Sequence, residues 1–188
     1  LDMQKRELSP STIKTDLSAN RFWHDKMSRP RYRLPDNTQL SLARRELGKT
    51  DRTWSSAEFN RFIALCWQYG TREDYVALVT LARYAGLRLH ECFRIDRAAA
   101  ELAVKTDRLT VKGKNGKVRS VPINESIRIA LRHLLAGTPR GQKLFVPPET
   151  DTRTAMLRFQ QFILAHRPAF QDKDAPVRKT FHGLRHTY

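Results

Sequence analysis

The chain has 188 residues, 40 % of them hydrophobic, with 35 basic and 19 acidic side chains and a net charge of +16. That is enough for one real core with a partial neighbour, and no run approaches the roughly 18 apolar residues of a membrane span. A charge this large calls for a polyanionic partner, nucleic acid by default. Two cysteines, Cys66 and Cys92, both in apolar runs, read as reduced core residues rather than a disulfide framework or a metal site. The net charge is +5 over residues 1–50, +1 over 51–100, +6 over 101–150 and +4 over 151–188. The near-neutral stretch is also the most apolar, so the positive charge falls on the segments flanking the core, as a DNA-facing surface requires. No signal-peptide pattern is visible, and the expected compartment is the cytoplasm.

Ser9-Pro10 has the form of an N-cap followed by proline at the first helical position, and Ile13, Leu17, Trp23 and Met27 continue it as a helical stripe ending before Pro30. Residues 30–53 are basic and proline-broken, with Leu40, Leu42 and Leu47 suggesting a short helix. One or two helices cannot close a core, so residues 1–50 read as part of a small helical domain plus a linker, and 51–188 as the main domain. Ser55-Ser56-Ala57-Glu58 is a capping box opening an amphipathic helix through Phe59, Phe62, Ile63, Cys66 and Trp67. A helix over 73–85, apolar almost all round, should be the buried centre. Gly86 breaks it, and residues 87–95 restart as a helix with Arg88 at its entry. Leu109–Val111 and Val118–Ile123 are strand-like around Asn115-Gly116, a two-residue hairpin signal. Asn124 caps a helix closed by Gly137, residues 156–163 mark another, and Thr180 starts a last one at Phe181-His182.

Three separated segments carry the chemistry. A site that cleaves a phosphodiester must neutralise its non-bridging oxygens and protonate the departing one. Arginine suits the first task because its planar fork stays charged; lysine or histidine suits the second because their pKa values can be tuned. Arg88 on its own equally fits an exposed helix-end arginine paired with Glu91 at i+3. Lys112, Lys114 and Lys117 on their own fit a solvated turn. His182 and His186, at i,i+4, formally fit a zinc pair, but Gly183 replaces the glutamate of a His-Glu-x-x-His site and no third ligand is evident.

Ala85-Gly86-Leu87-Arg88-x-x-Glu91, the lysine hairpin before Val121-Pro122-Ile123, and His182-x-Leu184-Arg185-His186-Thr187 occur in the order found in the tyrosine recombinase (phage integrase) family, which the chain resembles over roughly residues 53–188. The resemblance implies that Arg88 and Arg185 clamp the scissile phosphate, that Lys114 is the catalytic lysine with Lys112 and Lys117 as alternates, and that His182 aids proton transfer. Glu91 and His186 would support the site, and His90 would be a surface or filler residue. It also implies a mainly helical catalytic domain with a small antiparallel sheet, joined to an N-terminal helical core-binding domain and closing around duplex DNA. Arg29, Arg31, Arg33, Lys112, Lys117 and Arg119 are then expected DNA contacts.

The family's nucleophilic tyrosine, which forms the covalent link to DNA, lies downstream of the second arginine box. None of Tyr32, Tyr69, Tyr75, Tyr84 and Tyr188 is assigned that role, so the chain is expected to grip DNA without cutting it. Such chemistry needs no metal and no nucleotide cofactor, because phosphotyrosine conserves the bond energy. Assembly as an oligomer on DNA is expected. The competing readings are a non-catalytic DNA-binding protein, such as a degenerate recombinase or a helical regulator, and a basic nuclease using the histidine pair with a metal.

Overall fold

The computed structural model describes residues 8–27, 33–42, 51–70, 72–113, 116–175 and 177–185. The chain divides into two units, 1–49 and 50–188.

In the first unit, Ser9 starts helix α1 (Pro10–Met27) as its sequence signal indicates, its carbonyl accepting from the amides of Thr12 and Ile13. Arg21 then reaches back to residues 35–37, donating to the Pro35 carbonyl and to Asn37 Oδ1, each at 2.9 Å. Of the short helix expected through Leu40, Leu42 and Leu47, the described part is not helical; residues 37–41 make a turn. Asp36 Oδ1 accepts from the amides of Thr38 and Gln39, and Ser41 takes a left-handed φ of 50°. This local side-chain bonding competes with helix propagation. Leu47 lies outside the described residues.

The second unit is mainly helical with a two-stranded antiparallel sheet. The capping box forms: Ser55 accepts from the Glu58 amide, and Glu58 reaches back to the Ser55 amide, opening α2 (Ser56–Gln68). Helix α3 (Glu73–Ala85) is buried along most of its length, as its all-round apolar sequence requires. It ends at Gly86, whose φ of 60° is the left-handed cap that favours glycine. Around α3 pack α2, the short helix α8 (Phe181–Leu184), and α6 (Glu125–Gly137), whose cap is Asn124. Helix α7 (Thr152–Phe170) packs on α2. Trp54 stacks on Phe170 at 4.6 Å between ring centroids and meets Phe62 edge-on, closing the core beside them. Cys66 and Cys92 are buried free thiols; burial pushes the Cys66 thiol up to about 12 and raises Cys92 as well.

Three elements differ from the sequence expectation. The helix expected over 87–95 is one turn, α4 (Leu89–Cys92). Its continuation is taken by pairing with residues 142–144: Leu144 donates to the Ile95 carbonyl and Arg97 to the Gln142 carbonyl. Asp96 then caps an unanticipated helix, α5 (Arg97–Thr106), by accepting from the Ala99 amide. The hairpin pairs β1 (Arg108–Lys112) with β2 (Val118–Pro122) in the register Val111 opposite Arg119 and Lys112 opposite Val118. Gly113 donates to the Lys117 carbonyl at 2.7 Å. The connection is therefore three residues, 114–116, and not the two-residue turn expected at Asn115-Gly116. Gly116 takes φ +75°, the left-handed glycine of a three-residue loop.

Candidate active site

Arg88, Arg119 and Arg185 converge on one buried carboxylate and one carbonyl. Glu91 is 1 % exposed. As the third residue of α4 it reaches back to the Arg88 amide, Oε2 accepting at 2.7 Å, the glutamate half of a capping box. The same oxygen accepts from Arg119 at 2.9 Å, and Oε1 accepts from the Arg88 guanidinium at 3.1 Å. Burial alone would push its pKa up, but the Arg88 amide and the Arg119 guanidinium outweigh it and hold the carboxyl below its ordinary value. The Gly86 carbonyl, left open where α3 ends, accepts from Arg185 Nε at 2.8 Å and from Arg119 at 3.2 Å.

Two guanidiniums thus bond a single carboxylate, and the third, that of Arg185, shares the Gly86 carbonyl with Arg119. Arg185 is held below its ordinary pKa, first by burial and then by the charges of Arg88 and Arg119. Arg88 meanwhile leaves 44 % of its side chain open to solvent. An excess of fixed positive charge with one exposed guanidinium face suits a tetrahedral oxyanion.

The hairpin is docked on the same carboxylate. Residues opposite one another across an antiparallel pair share a face, so Arg119 lies on the inward face with Val111, pointing to Glu91 and Gly86. Arg119, an expected DNA contact, bonds Glu91 and the Gly86 carbonyl from this face and leaves 38 % of its side chain open to solvent. A Cβ at Gly113 would come 3.1 Å from Glu91 Oε1, tighter than ordinary van der Waals contact. Arg94 adds a bond to the Lys112 carbonyl at 3.4 Å. Lys112 and Lys117 are exposed at the hairpin's end. Lys114, between them in sequence, lies outside the described residues.

The second box forms α8 (Phe181–Leu184), with Arg185 as its C-cap. His182 is exposed and shares a groove of about 590 Å³ with Arg88, His90, Met156, Leu164 and Arg167. His90, expected to be a surface or filler residue, is half-buried there. Burial lowers its pKa; Glu91 opposes this, and the nearby arginines add to it. His186, Tyr188, Arg29, Arg31 and Tyr32 lie outside the described residues, and Arg33 is exposed in the first unit. Among the described residues no cluster of three His, Cys, Asp or Glu side chains could hold a metal, and no helix is long and apolar enough to cross a membrane. Tyr75 is buried with the Arg72 guanidinium 3.5 Å above its ring, and Tyr84 packs edge-on to Phe59.

The bonds of Arg119 to Glu91 and the Gly86 carbonyl were not legible in the sequence, where its charge points only to DNA. Sequence reasoning also missed Glu58 and Lys179, described below. Glu58 was legible only as a capping glutamate, and Lys179 as one basic residue among many.

A family model described as the phage integrase family matches residues 54–188. Among solved structures, the fold is similar to the XerA recombinase (TM-score 0.52, 19 % identity, 98 % of this chain and 62 % of that one). It is also similar to the integrase from mycobacterium phage Brujita (TM-score 0.54, 22 % identity, 96 % and 57 %). A third likeness is to the Tn1549 transposon integrase in complex with transposon right end DNA (TM-score 0.68, 16 % identity, 99 % and 67 %). The chain therefore spans about three fifths of the length of the first two. No curated protein sequence matches it.

Proposed function

The chain belongs to the phage integrase family, and from that premise we propose that it supplies most of the catalytic domain of a site-specific DNA recombinase, which breaks and rejoins strands through a phosphotyrosine intermediate. The observation that carries this reading is the gathering of Arg88, Arg119 and Arg185 around Glu91 and the Gly86 carbonyl. Arg88 and Arg185 bind the non-bridging oxygens as charge grows on them in the transition state. Arg119 and Glu91 hold them in place. Lys114, on the connection after Gly113, protonates the departing 5′ oxygen, with Lys112 and Lys117 beside it. His182 assists proton transfer from the groove next to Arg88, and His186 supports the site.

Duplex DNA is the partner, and the protein assembles on it as an oligomer in the cytoplasm. Residues 1–50 contribute part of a core-binding arm, with Arg29, Arg31 and Arg33 on DNA; residues 51–188 contribute the catalytic unit. No metal or nucleotide is needed, since the phosphotyrosine link stores the energy of the broken bond. Residues 1–188 by themselves hold DNA without linking to it, because no tyrosine here is matched to the nucleophile.

The test is covalent capture. The full-length natural protein is incubated with a pool of nicked duplexes of random sequence, and protein–DNA bands that survive denaturation are recovered. An adduct is expected from the full-length protein and none from residues 1–188. Arg185→Ala should slow adduct formation by roughly 10²–10³, the scale of losing one transition-state donor. Lys114→Ala should be slow on ordinary DNA and nearly normal on DNA with a 5′-bridging sulfur, a leaving group that hardly needs an acid; Arg185→Ala should not be rescued. No adduct on any sequence sinks the recombinase reading. An adduct from residues 1–188 that disappears with Tyr188→Phe would relocate the nucleophile. Rescue of Lys112→Ala or Lys117→Ala in place of Lys114→Ala would move the acid.

A further inference from the structure

Helix α8 has four residues, and Thr180 gives it no side-chain cap. A single turn has no stability of its own in water, so the places of His182 and Arg185 are set from outside. The restraint comes from residues 51–58 and the end of α7. Trp54 Nε1 donates to the Thr180 carbonyl at 2.9 Å. Gly183 lies so close to Arg52 that a Cβ would overlap the Arg52 carbonyl oxygen. Gln171 Oε1 accepts from the Lys179 amide at 2.8 Å, and Arg167 Nε donates to the Lys179 carbonyl at 3.0 Å.

A buried ion pair stands at the centre of these contacts. Lys179 is 6 % exposed and Glu58 0 %. Lys179 Nζ donates to the Thr53 carbonyl and stands 3.5 Å from Glu58 Oε2. Glu58 does more than a capping box asks of it. Oε2 accepts from the Ser55 amide at 2.8 Å, and Oε1 accepts from the Asp172 amide at 3.0 Å. A capping box needs only the first. Burying two charges is unfavourable unless their hydrogen bonds are met, and apolar residues of similar volume often serve stability as well or better. What an apolar pair lacks is direction. The ammonium can sit in one place only, between the Thr53 carbonyl and the Glu58 carboxylate.

We propose that Lys179 and Glu58 are positioning residues. The pair fixes where α8 begins, and through α8 it holds Arg185 against the Gly86 carbonyl beside Arg88. Its consequence for catalysis rests on the recombinase reading; the anchoring does not, and the experiment separates the two.

In residues 1–188, the first measurement is hydrogen exchange of the Arg185 Nε–H by NMR, compared with the backbone amides of Leu78 and Leu81 in buried α3. Lys179→Met should speed Arg185 exchange about tenfold or more and leave Leu78 and Leu81 nearly unchanged, while Lys179→Arg should stay close to wild type. Should Lys179→Met unfold the chain, Leu78 and Leu81 will exchange too, and the milder Glu58→Gln then decides by the same comparison. Wild-type Arg185 exchange in either variant, with the core amides protected, overturns the proposal. In the full-length protein, Lys179→Met should slow adduct formation by roughly 10²-fold, the cost of a small misplacement of a reacting group, with duplex affinity unchanged and with recovery in Lys179→Arg. Loosened Arg185 with a wild-type adduct rate would remove Arg185 from the chemistry and leave the anchor standing. A wild-type protein that forms no adduct would overturn the recombinase reading without touching the anchor.

Discussion

At the scale of single residues, Glu91 organises the site because it is buried, ionised and shared. One carboxylate fixes the start of α4, the Arg88 fork and the Arg119 guanidinium. Its depressed pKa makes this a pH-dependent contribution. Above the ordinary value of 4.5 both folded and unfolded chains carry the charge, and the full stabilisation is present. As pH falls below it, the unfolded chain takes up the proton first. Stability is then lost until the pH has passed through the lower, folded value. Glu91→Gln should cost about 1.5–3 kcal/mol at neutral pH, the worth of hydrogen bonds to a charged group. The gap between wild type and variant, measured by urea unfolding, should close as the pH drops below the ordinary carboxylate range. A gap that stays constant down the pH range would show that Glu91 acts by shape and not by charge.

At the scale of elements, the site is assembled from short pieces that lack stability of their own. Helices α4 and α8 have four residues each, and the strands five. They are held by close approach to longer ones, and glycine is where that approach is tightest. Gly183→Ala places a methyl on the Arg52 carbonyl, backbone against backbone, so α8 must shift. The expected cost is about 1–3 kcal/mol, as for other overpacked positions. Gly137→Ala is the control: a Cβ there meets nothing within 4 Å, and it should be neutral or stabilising by a few tenths of a kcal/mol to ~1 kcal/mol. Urea midpoints of the two variants decide this, and equal midpoints would contradict the packing of α8.

At the scale of the whole molecule, a net charge of +16 dominates long-range behaviour. The charge belongs largely to arginines and lysines outside the α3 core, so much of the DNA affinity should come from counterion release with little sequence preference. If residues 1–188 cover about 6–10 phosphates, affinity should fall roughly 10³–10⁵-fold between 50 and 200 mM salt. Fluorescence titration of a labelled duplex at several salt concentrations measures the slope. A flat response would mean that the charge serves solubility alone.

Local chemistry determined what the sequence could show. The Ser9-Pro10 start, the Ser55–Glu58 box, the all-apolar pattern of 73–85 and the Gly86 stop each act within a few residues, and each formed as read. The motif residues Arg88, Glu91 and Arg185 were legible by type and order. Tertiary structure decided the phase of the hairpin. Val118 and Val121 lie on opposite faces of a strand, so alternation could not say which faces inward. Docking on Glu91, the Gly86 carbonyl and α5 chose Val121, leaving Val118 65 % exposed and turning Arg119 toward Glu91. It also cut α4 short, because pairing of Ile95 and Arg97 with residues 142–144 takes the backbone groups that a longer helix would use. Helix α5 was hidden by its alanines, whose small side chains give little contrast between a buried and an exposed face. The Glu58–Lys179 pair joins residues far apart in the chain. A charge in a sequence says nothing of its burial; only the packed chain removes these two from water and makes each the other's partner.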